Sequence, residues 1–354
     1  MNIVSVRTLS FTERQAQKMT YFGIDVHKGT STVKWFCPAE NKRGRKRIET
    51  TPKAFAELLS SLPRPWIIAY EATRQAPALT KMLRKLDADE LHLAHPRALR
   101  EIGKLQKAKT DDKDAGLILT LLEVGMLPEA YLAPASVEDM REVSRGYKHL
   151  RQTCTKYLNA LRHLFNKSGL SCDASKLLTH KGRQQVEKLL MELPALAAIT
   201  GTMYWHLVQQ LDEQCAALLE LMYAQLKEHP AGAALLAIKG VGTVTAFGFL
   251  AEIGEPERFA NCGRLHSYAG LVPKASQSDD RYSTGHLPQD CNKHLRYLAV
   301  CAANSAVRCK GENKAKTAYD QVKGKTDKRA NVGKIAAARK ILTDVLWEWR
   351  DAVK

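Results

Sequence analysis

The sequence predicts an α/β domain at its N-terminal end, followed by a mainly helical remainder. From about residue 19 to 135, apolar runs typical of buried strands alternate with helical patterns, which favours a sheet covered by helices. Beyond residue 136, apolar residues recur at spacings of three and four, as in long amphipathic helices. We therefore expect a tail over 1–18, an α/β domain over 19–135, a helical coiled-coil region over 136–230 and a mainly α-helical domain over 231–354.

The strands and helices of the first domain can be placed in order. Two strands are predicted between Tyr21 and Cys37, with a turn at Lys28-Gly29-Thr30. The basic segment Asn41–Lys46 is predicted as a turn, and a third strand is expected around Arg47–Thr51. The remaining elements are a helix over Pro52–Leu62, a strand over Trp66–Ala72, a helix over Ala76–Leu86, a strand over Glu90–Ala94 and a further helical stretch.

The middle of the chain has the spacing of a coiled coil. Apolar residues form a heptad seam from Met140 to Leu164, which ends before Gly169, and a second helix with a similar stripe is expected over Thr202–Glu228. These two helices could pair within one chain or across a dimer, and the sequence does not separate the two arrangements. The length of the seam Met140–Leu164 favours self-association.

The charge of the protein favours a polyanionic partner. Lys and Arg number 54 against 37 Asp and Glu, a formal charge of +17, so nucleic acid is the first candidate and an acidic membrane surface the second. A basic protein without such a partner is the alternative. The segment from Arg308 to Lys340 is especially basic, which suits phosphate contacts. We expect no membrane-spanning segment, no signal peptide and a cytoplasmic location. The eight cysteines are scattered without a CxxC pair, which disfavours a zinc ribbon.

Acidic residues follow two of the predicted strands and begin one predicted helix. Asp25 ends an apolar strand in YFGIDVHK and Glu71 ends WIIAYE, while Asp111 and Asp114 share one helix face at a spacing of three. Carboxylates without cysteine suit Mg²⁺ or Mn²⁺, which can activate a phosphodiester. Each acid alone is better explained as a turn, capping or helix-start residue. Asp112 would face away from this group, and we expect His27 to be a surface strand residue.

In this order, the segments YFGIDVHK, YEAT and AKTDDKDA resemble the DEDD transposases of insertion sequences, a group that includes the pilin-gene-inverting recombinases. The resemblance covers essentially the whole chain. It implies a RuvC-like, ribonuclease-H-type N-terminal domain whose metal-binding tetrad matches Asp25, Glu71, Asp111 and Asp114. Arg74-Gln75 stands where family members usually carry glycine, which we expect to alter a turn rather than the metal site.

Two further segments concern the C-terminal domain. Gly240-Val241-Gly242 lies between two helical patterns and resembles a helix-hairpin-helix element that binds phosphate, although a simple glycine turn between packed helices is the alternative. Downstream, the family pattern matches Gly270, Leu271, Pro273 and Gly285, and it places an arginine, here Arg296, on the next helix as a nucleic-acid-binding residue.

The same pattern implies a catalytic serine. Counting from Pro273, the serine of the family falls on Ser278, which the resemblance implies to be the nucleophile that joins covalently to DNA. Asp279 replaces the glycine that usually follows it, and Ser276 and Ser283 remain weaker candidates. The resemblance further implies a noncoding guide RNA and a homo-oligomer, dimer or tetramer, acting on element ends and target DNA in the bacterial nucleoid.

Two other functions fit the same residues. The first is a structure-specific nuclease of the junction-resolvase type, in which the four acids act with water as the nucleophile. That reading leaves the serine segment unexplained. The second is a non-catalytic nucleic-acid-binding scaffold that uses only the glycine hairpin, the heptads and the basic segment, and the four acids in family order argue against it.

Overall fold

The chain forms two structural units, one before and one after the Leu132–Ala133 boundary. The computed structural model describes residues 19–104, 110–172, 177–273, 275–278, 281–323 and 330–354, with the backbone alone for 275–278 and 281–284. The tail predicted over 1–18 lies outside the described residues.

The first unit contains a mixed five-stranded sheet. Its strands are β1 (Thr20–Val26), β2 (Thr30–Cys37), β3 (Lys42–Glu49), β4 (Trp66–Glu71) and β5 (Glu90–Ala94), in the order β3-β2-β1-β4-β5. β1 to β3 are antiparallel neighbours, whereas β4 and β5 run parallel to β1. This arrangement confirms the predicted α/β class of the N-terminal region. All residues of the central strand β1 are buried, which explains its apolar sequence.

Helices cover both faces of this sheet. α1 (Pro52–Ser60) and α2 (Ala76–Lys85) pack on one face, and α3 (Pro96–Gly103) and α4 (Asp111–Glu123) pack on the other. Alternation along β1 divides its side chains between the two cores. The first core contains Phe22, Ile24, Phe55, Ile68 and Leu79, and the second contains Tyr21, Ile67, Ala69, Leu99 and Ile118.

The prediction for β3 was wrong at its start. The basic segment Asn41–Lys46 was expected to form a turn, but β3 begins at Lys42 and pairs with β2 over its whole length. β3 is an edge strand, so its charged side chains can stay in water while its backbone pairs on one side only. Gly44 allows the Trp35 ring to lie against the strand, since a Cβ there would be 2.2 Å from a ring carbon. With so few apolar residues, β3 lacks the alternation of apolar and polar residues by which the other strands were predicted from the sequence.

The second unit is almost entirely helical. Three helices form its first part: α5 (Ala135–Lys167), α6 (His180–Met191) and α7 (Ala195–Glu228). The later elements are α8 (Gly232–Ala237), α9 (Thr243–Ile253), α10 (Cys262–Tyr268), the hairpin strands β6 (Ala275–Ser278) and β7 (Arg281–Thr284), α11 (Lys293–Arg308), α12 (Lys314–Lys323) and α13 (Ala330–Ala352). None of the described helices is long and apolar enough to cross a membrane.

The heptad seam of α5 is covered within the chain. Its C-terminal half packs along α7, where Cys154, Leu161 and Phe165 share a core with Trp205 and Val208. Its N-terminal half packs against the core formed by the later helices, through Met140, Val143 and Tyr147. Of the two arrangements left open by the sequence, the structure therefore contains the intramolecular pairing. Self-association through Met140–Leu164 loses its basis, because the seam already has a partner.

Candidate active site

Two strand ends place the first acids side by side. Asp25 is the penultimate residue of β1 and pairs with Thr32 of β2. On the other side, Ile24 pairs with Tyr70, so Glu71 at the end of β4 follows one step further along the parallel register. Because side chains alternate along strands, Asp25 and Glu71 lie on the face that packs against α4.

The first turn of α4 provides the other acids. Thr110 caps the helix, since its hydroxyl accepts a hydrogen bond from the Lys113 amide, and Asp111 and Asp114 lie in the following turn. Gly23 of β1 lets this helix approach the sheet closely. A Cβ at Gly23 would lie 2.4 Å from the Ala115 carbonyl oxygen, so any side chain there would push α4 away.

Asp25, His27 and Asp111 form one cluster of donor atoms. His27 Nε2 lies 3.2 Å from Asp25 Oδ2 and 3.5 Å from Asp111 Oδ1, and one ligand atom from each residue lies within 4.8 Å of the others. His27 was expected to be a surface residue, and its side chain is indeed 52% exposed. Its place beside Asp25 and Asp111 was not expected. The signal was its place two residues after Asp25, just beyond the end of β1.

The surroundings of Asp25 disfavour its ionised form. Burial raises the pKa of Asp25 above its ordinary value, and the carboxylates of Asp111 and Asp114 raise it further, while His27 opposes them. Such converging acids suit a divalent cation, which would remove their repulsion. Asp112 points elsewhere and forms ion pairs with Lys34 at 2.8 Å and Arg45 at 3.2 Å. The Asp114 carboxylate helps to raise the pKa of Asp25, and Glu71 lies beside Asp25 on the neighbouring strand β4. All four predicted acids therefore lie at one end of this sheet.

The serine segment forms a short hairpin in the second unit. Ser278 is the last residue of β6 and pairs with Arg281, and Ser276 pairs with Ser283. Asp279 lies outside the described residues, so its effect on the loop stays a prediction. Ser278 therefore adjoins the turn of the hairpin, whereas the other two serines lie further from it.

Arginines of neighbouring helices hold both ends of the segment that carries this hairpin. Arg296 of α11 donates from Nε to the Ala269 carbonyl at 3.2 Å and from Nη2 to the Pro288 carbonyl. Arg339 of α13 donates to the Leu271 carbonyl at 2.6 and 2.9 Å. The guanidinium of Arg296, expected to bind nucleic acid, is thus engaged with the protein backbone before and after the hairpin.

Two family profiles match the chain. A profile of DEDD transposases of the IS110 type matches residues 22–168, and one described as the transposase IS116/IS110/IS902 family matches residues 232–320. The chain belongs to this family of insertion-sequence transposases. The first match includes the whole acid cluster, and the second includes Ser278 and Arg296.

Similar proteins carry corresponding names. A probable family 20 transposase of Pseudomonas aeruginosa is 25% identical over 338 residues, which cover 92% of this chain and 91% of the relative. The transposase for insertion sequence element IS1111A of Coxiella burnetii is 23% identical over 201 residues, 54% of this chain and 50% of the relative. The mini-circle putative transposase for IS117 of Streptomyces coelicolor is 34% identical over 98 residues, 27% of this chain and 24% of the relative.

A second carboxylate of the transposase is paired completely. Glu252 of α9 is fully buried and receives hydrogen bonds from Arg145 at 2.8 and 3.0 Å and from Asn292 at 2.7 Å. Although burial opposes its ionisation, these donors hold the pKa of Glu252 below its ordinary value. The side-chain oxygen of Asn292 also caps α11 by accepting a hydrogen bond from the Leu295 backbone amide, and the backbone N–H of Asn292 donates to the Tyr268 carbonyl at 2.8 Å. The network therefore fixes the start of α11, directly after the serine segment.

The glycine hairpin of the transposase has a packing role at one of its two glycines. Gly240 has a φ of +92°, and a Cβ there would lie 2.6 Å from the Ala302 carbonyl oxygen of α11. Gly242 is exposed with open space around it, and its amide donates to the Thr245 hydroxyl. Gly240 thus supports the simple-turn explanation, and phosphate binding at Gly242 and the start of α9 stays a prediction.

Proposed function

We propose that this transposase cuts and rejoins DNA strands through a covalent bond between Ser278 and a DNA phosphate. The acid cluster Asp25, Glu71, Asp111 and Asp114 would hold Mg²⁺ or Mn²⁺. The observation that carries the proposal is the convergence of Asp25, His27 and Asp111 at one end of the sheet, where burial first and the neighbouring carboxylates of Asp111 and Asp114 next raise the pKa of Asp25. A divalent cation bound there would polarise the scissile phosphate and stabilise the leaving oxygen.

The residues of the chain have separate tasks in this reaction. The acids occupy fixed positions because β1, β4 and the capped start of α4 are held by the cores of the first unit. His27 adds a neutral or protonated imidazole beside two carboxylates and can hold a proton there. Arg296 and Arg339 fix the chain on both sides of the serine hairpin, which limits the positions that Ser278 can reach.

The chemical step conserves the number of phosphate ester bonds. The Ser278 hydroxyl oxygen bonds to phosphorus and loses its proton to water, while the bond from phosphorus to one strand oxygen breaks. That oxygen takes up a proton and leaves as a free strand hydroxyl. Attack by the hydroxyl of another strand on the serine-linked phosphate rejoins DNA and restores the serine. No high-energy cofactor is needed, because each ester is exchanged for another.

The alternative is direct hydrolysis by water at the same acids, as in a junction resolvase. The two mechanisms differ in one product. The serine route gives a protein–DNA adduct that survives denaturant, whereas hydrolysis leaves no adduct. Incubation of the full chain with nicked DNA containing an element end, followed by denaturing electrophoresis, separates them.

Serine variants make the test specific. Ser278→Ala should bind DNA as the wild type does but form no adduct, and Ser276→Ala and Ser283→Ala are the matched controls that should keep it. An adduct in Ser278→Ala would move the nucleophile elsewhere, and strand cleavage by the wild type without any adduct would favour hydrolysis.

The proposal also requires Ser278 of the second unit and the acids of the first to act on the same phosphate. Mixing Ser278→Ala with Asp25→Asn protein tests whether one chain supplies both. Activity restored by mixing two inactive variants would indicate that different chains supply them, and continued inactivity would indicate a single chain.

We further infer that the transposase self-associates, through α7 rather than α5. Apolar side chains on one face of α7 remain exposed: Leu196, Ile199, Met203 and Leu207 at spacings of three and four, and Leu221 fourteen residues further on. A second copy of the same helix fits this seam, because identical heptads are self-complementary. Light scattering of Ile199→Lys/Met203→Lys should show a smaller species than the wild type. Glu220→Lys is the control, because this exposed residue lies away from that face of the helix and its substitution changes the charge by the same amount. A monomeric wild type would refute the inference.

The guide RNA belongs to the same proposal. The formal charge of +17 permits a second polyanion beside DNA. RNA extracted from the protein purified from its host should include a noncoding transcript from the DNA next to the gene. Random host RNA alone would count against it.

A further inference from the structure

We propose that the basic edge strand β3 binds the phosphate backbone of a nucleic-acid strand and guides it to the acid cluster. The inference extends the proposed function, since it assigns the surface by which the substrate reaches that site. Nothing in the family pattern of acids and serine marks this strand.

The first observation is a cavity that joins β3 to the acid cluster. It has a volume of about 540 Å³, and its wall includes Arg45, Lys46 and Arg47 of β3 and Asp111 of α4. Thr32 of β2, which pairs with both Asp25 and Arg47, also lines it. A group bound in this cavity therefore lies next to a member of the acid cluster.

The second observation is the charge left over on β3. Arg43 forms a two-point ion pair with Glu123, and Arg45 pairs with Asp112 while its side chain stays 74% exposed. In the part of the chain that the structure describes, Lys46 and Arg47 have no carboxylate partner, and Arg47 donates only to the Thr30 hydroxyl at 3.1 and 3.3 Å. Both side chains are exposed, so two cations remain available for an anion.

The third observation is the length of the strand. Lys42 to Arg47 extends over about 17–20 Å at the usual rise of a β-strand, whereas successive phosphates rise about 3.4 Å along one strand of a duplex. Because side chains alternate along a strand, Arg43, Arg45 and Arg47 lie on the face of α4 and Lys42 and Lys46 lie on the other face. Cations on both sides of an edge strand of this length suit more than one phosphate of a polymer rather than one free phosphate.

Basic edge strands have another explanation. Lysines on an edge prevent pairing with other chains, and this protection needs no ligand. It does not account for the cavity, because blocking an edge requires charge along the strand but no concave site shared with Asp111. A phosphodiester accounts for both features.

The test uses the full chain, without divalent metal, and fluorescent 30-mers of the same sequence as DNA and as RNA. Lys46→Ala/Arg47→Ala should weaken binding and reduce the slope of log affinity against log salt by roughly one for each lost contact, about two in all. The matched control is Lys53→Ala/Lys81→Ala, which removes two exposed lysines from α1 and α2 that do not line the cavity. The proposal expects the change with DNA, whose strands are the substrate, and a change confined to RNA would overturn it.

A photoreactive residue at position 46 gives an independent readout. It should crosslink to the 30-mer that shows the altered slope. An unchanged slope together with no crosslink to either 30-mer would overturn the proposal and leave edge protection as the role of β3. These outcomes are separate from the adduct test: an adduct with unaltered β3 binding would refute only this inference, and β3 binding without an adduct would refute only the serine mechanism.

Discussion

Asp25 and Glu252 are both buried carboxyl groups, but the pKa of Asp25 is raised and that of Glu252 is lowered. Asp25 faces two further acids and a histidine, and its pKa is raised, first by burial and then by Asp111 and Asp114. Glu252 is more deeply buried, yet hydrogen bonds from Arg145 and Asn292 lower its pKa. Removing a buried acid that is fully paired leaves its partners unpaired and destabilises the folded chain. A buried acid with a raised pKa costs stability when it is ionised and marks a candidate functional site.

The contributions of Asp25 and Glu252 to the free energy of unfolding depend on pH in opposite directions. The carboxylate of Asp25 is disfavoured in the folded state, so its contribution to stability is lost as pH rises through its raised pKa. The carboxylate of Glu252 is favoured in the folded state. Its contribution is present above the unfolded pKa of 4.5 and is lost as pH falls through its lowered pKa. Each acid can therefore be tested by activity and by stability.

The largest expected effect is the loss of recombination in Asp25→Asn. In the proposed mechanism the amide removes a ligand of the metal, and the charge stabilisation by that metal is worth several kcal/mol, so the rate should fall at least about a hundredfold. The same change removes repulsion from Asp111 and Asp114, so the unfolding free energy without metal should be equal to or above that of the wild type at pH 7. A plasmid recombination assay and thermal unfolding measure the two quantities.

Asp112→Asn is the matched control for this pair of measurements. Asp112 pairs with Lys34 and Arg45 rather than with Asp25, so recombination should persist. Full activity in Asp25→Asn, or in an Asp111→Asn/Asp114→Asn double variant, would remove the acid cluster from the mechanism.

Glu252→Gln should have the reverse signature. The change leaves Arg145 and Arg141 without their shared carboxylate and should lower the unfolding free energy by about 3 kcal/mol, near the lower limit for breaking a buried ion pair because Arg145 is 49% exposed and can turn towards water. Chemical denaturation measures the loss, and the exposed Glu257→Gln is the control. Unchanged stability would show that the Glu252 network is not structural.

His294 is a buried base whose pKa is also shifted by its surroundings. Burial, with help from Lys148 and Arg145 and against Glu252, lowers its pKa from 6.5 to about 4, and its Nε2 lies 3.0 Å from the Ser144 hydroxyl. Between pH 6.5 and about 4 the unfolded chain binds a proton that the folded chain does not. The free energy of unfolding should therefore decrease, by up to roughly 3 kcal/mol, as the pH is lowered through this range. His294→Gln should flatten this decline in denaturation curves. An equal decline in the variant would assign it to other groups.

The two carboxylates also differ in how well the sequence predicts them. Asp25 and Glu71 end apolar strands, and Asp111 and Asp114 begin a helix, so local patterns locate the acid cluster. Glu252 lies inside an apolar helix, and its partners are 40 and 107 residues away, so no local pattern reveals the network. The seam of α5 was predicted, but the helices that cover it were not, since spacing predicts an apolar face and not which chain covers it.

The position of the acid cluster depends on Gly23. Gly23→Ala is the mildest change that should affect the acid cluster but not the Glu252 network. A methyl group there would meet the Ala115 carbonyl oxygen and the Leu119 backbone of α4, so the helix must move. Overpacking of this kind costs about 1–3 kcal/mol.

Because Asp111 and Asp114 move with α4, recombination in Gly23→Ala should fall although every acid is present. The pKa of Asp25, followed by carbon-detected NMR, should shift back towards its ordinary value of 3.8 as the two acids recede. The Glu252 network should keep its acid dependence of stability, because it belongs to the other unit. A control at Gly29, where a Cβ meets no atom within 4 Å, should change neither quantity. If Gly23→Ala lowers stability but leaves both recombination and the Asp25 pKa unchanged, close packing of α4 on β1 is not what brings the acids together.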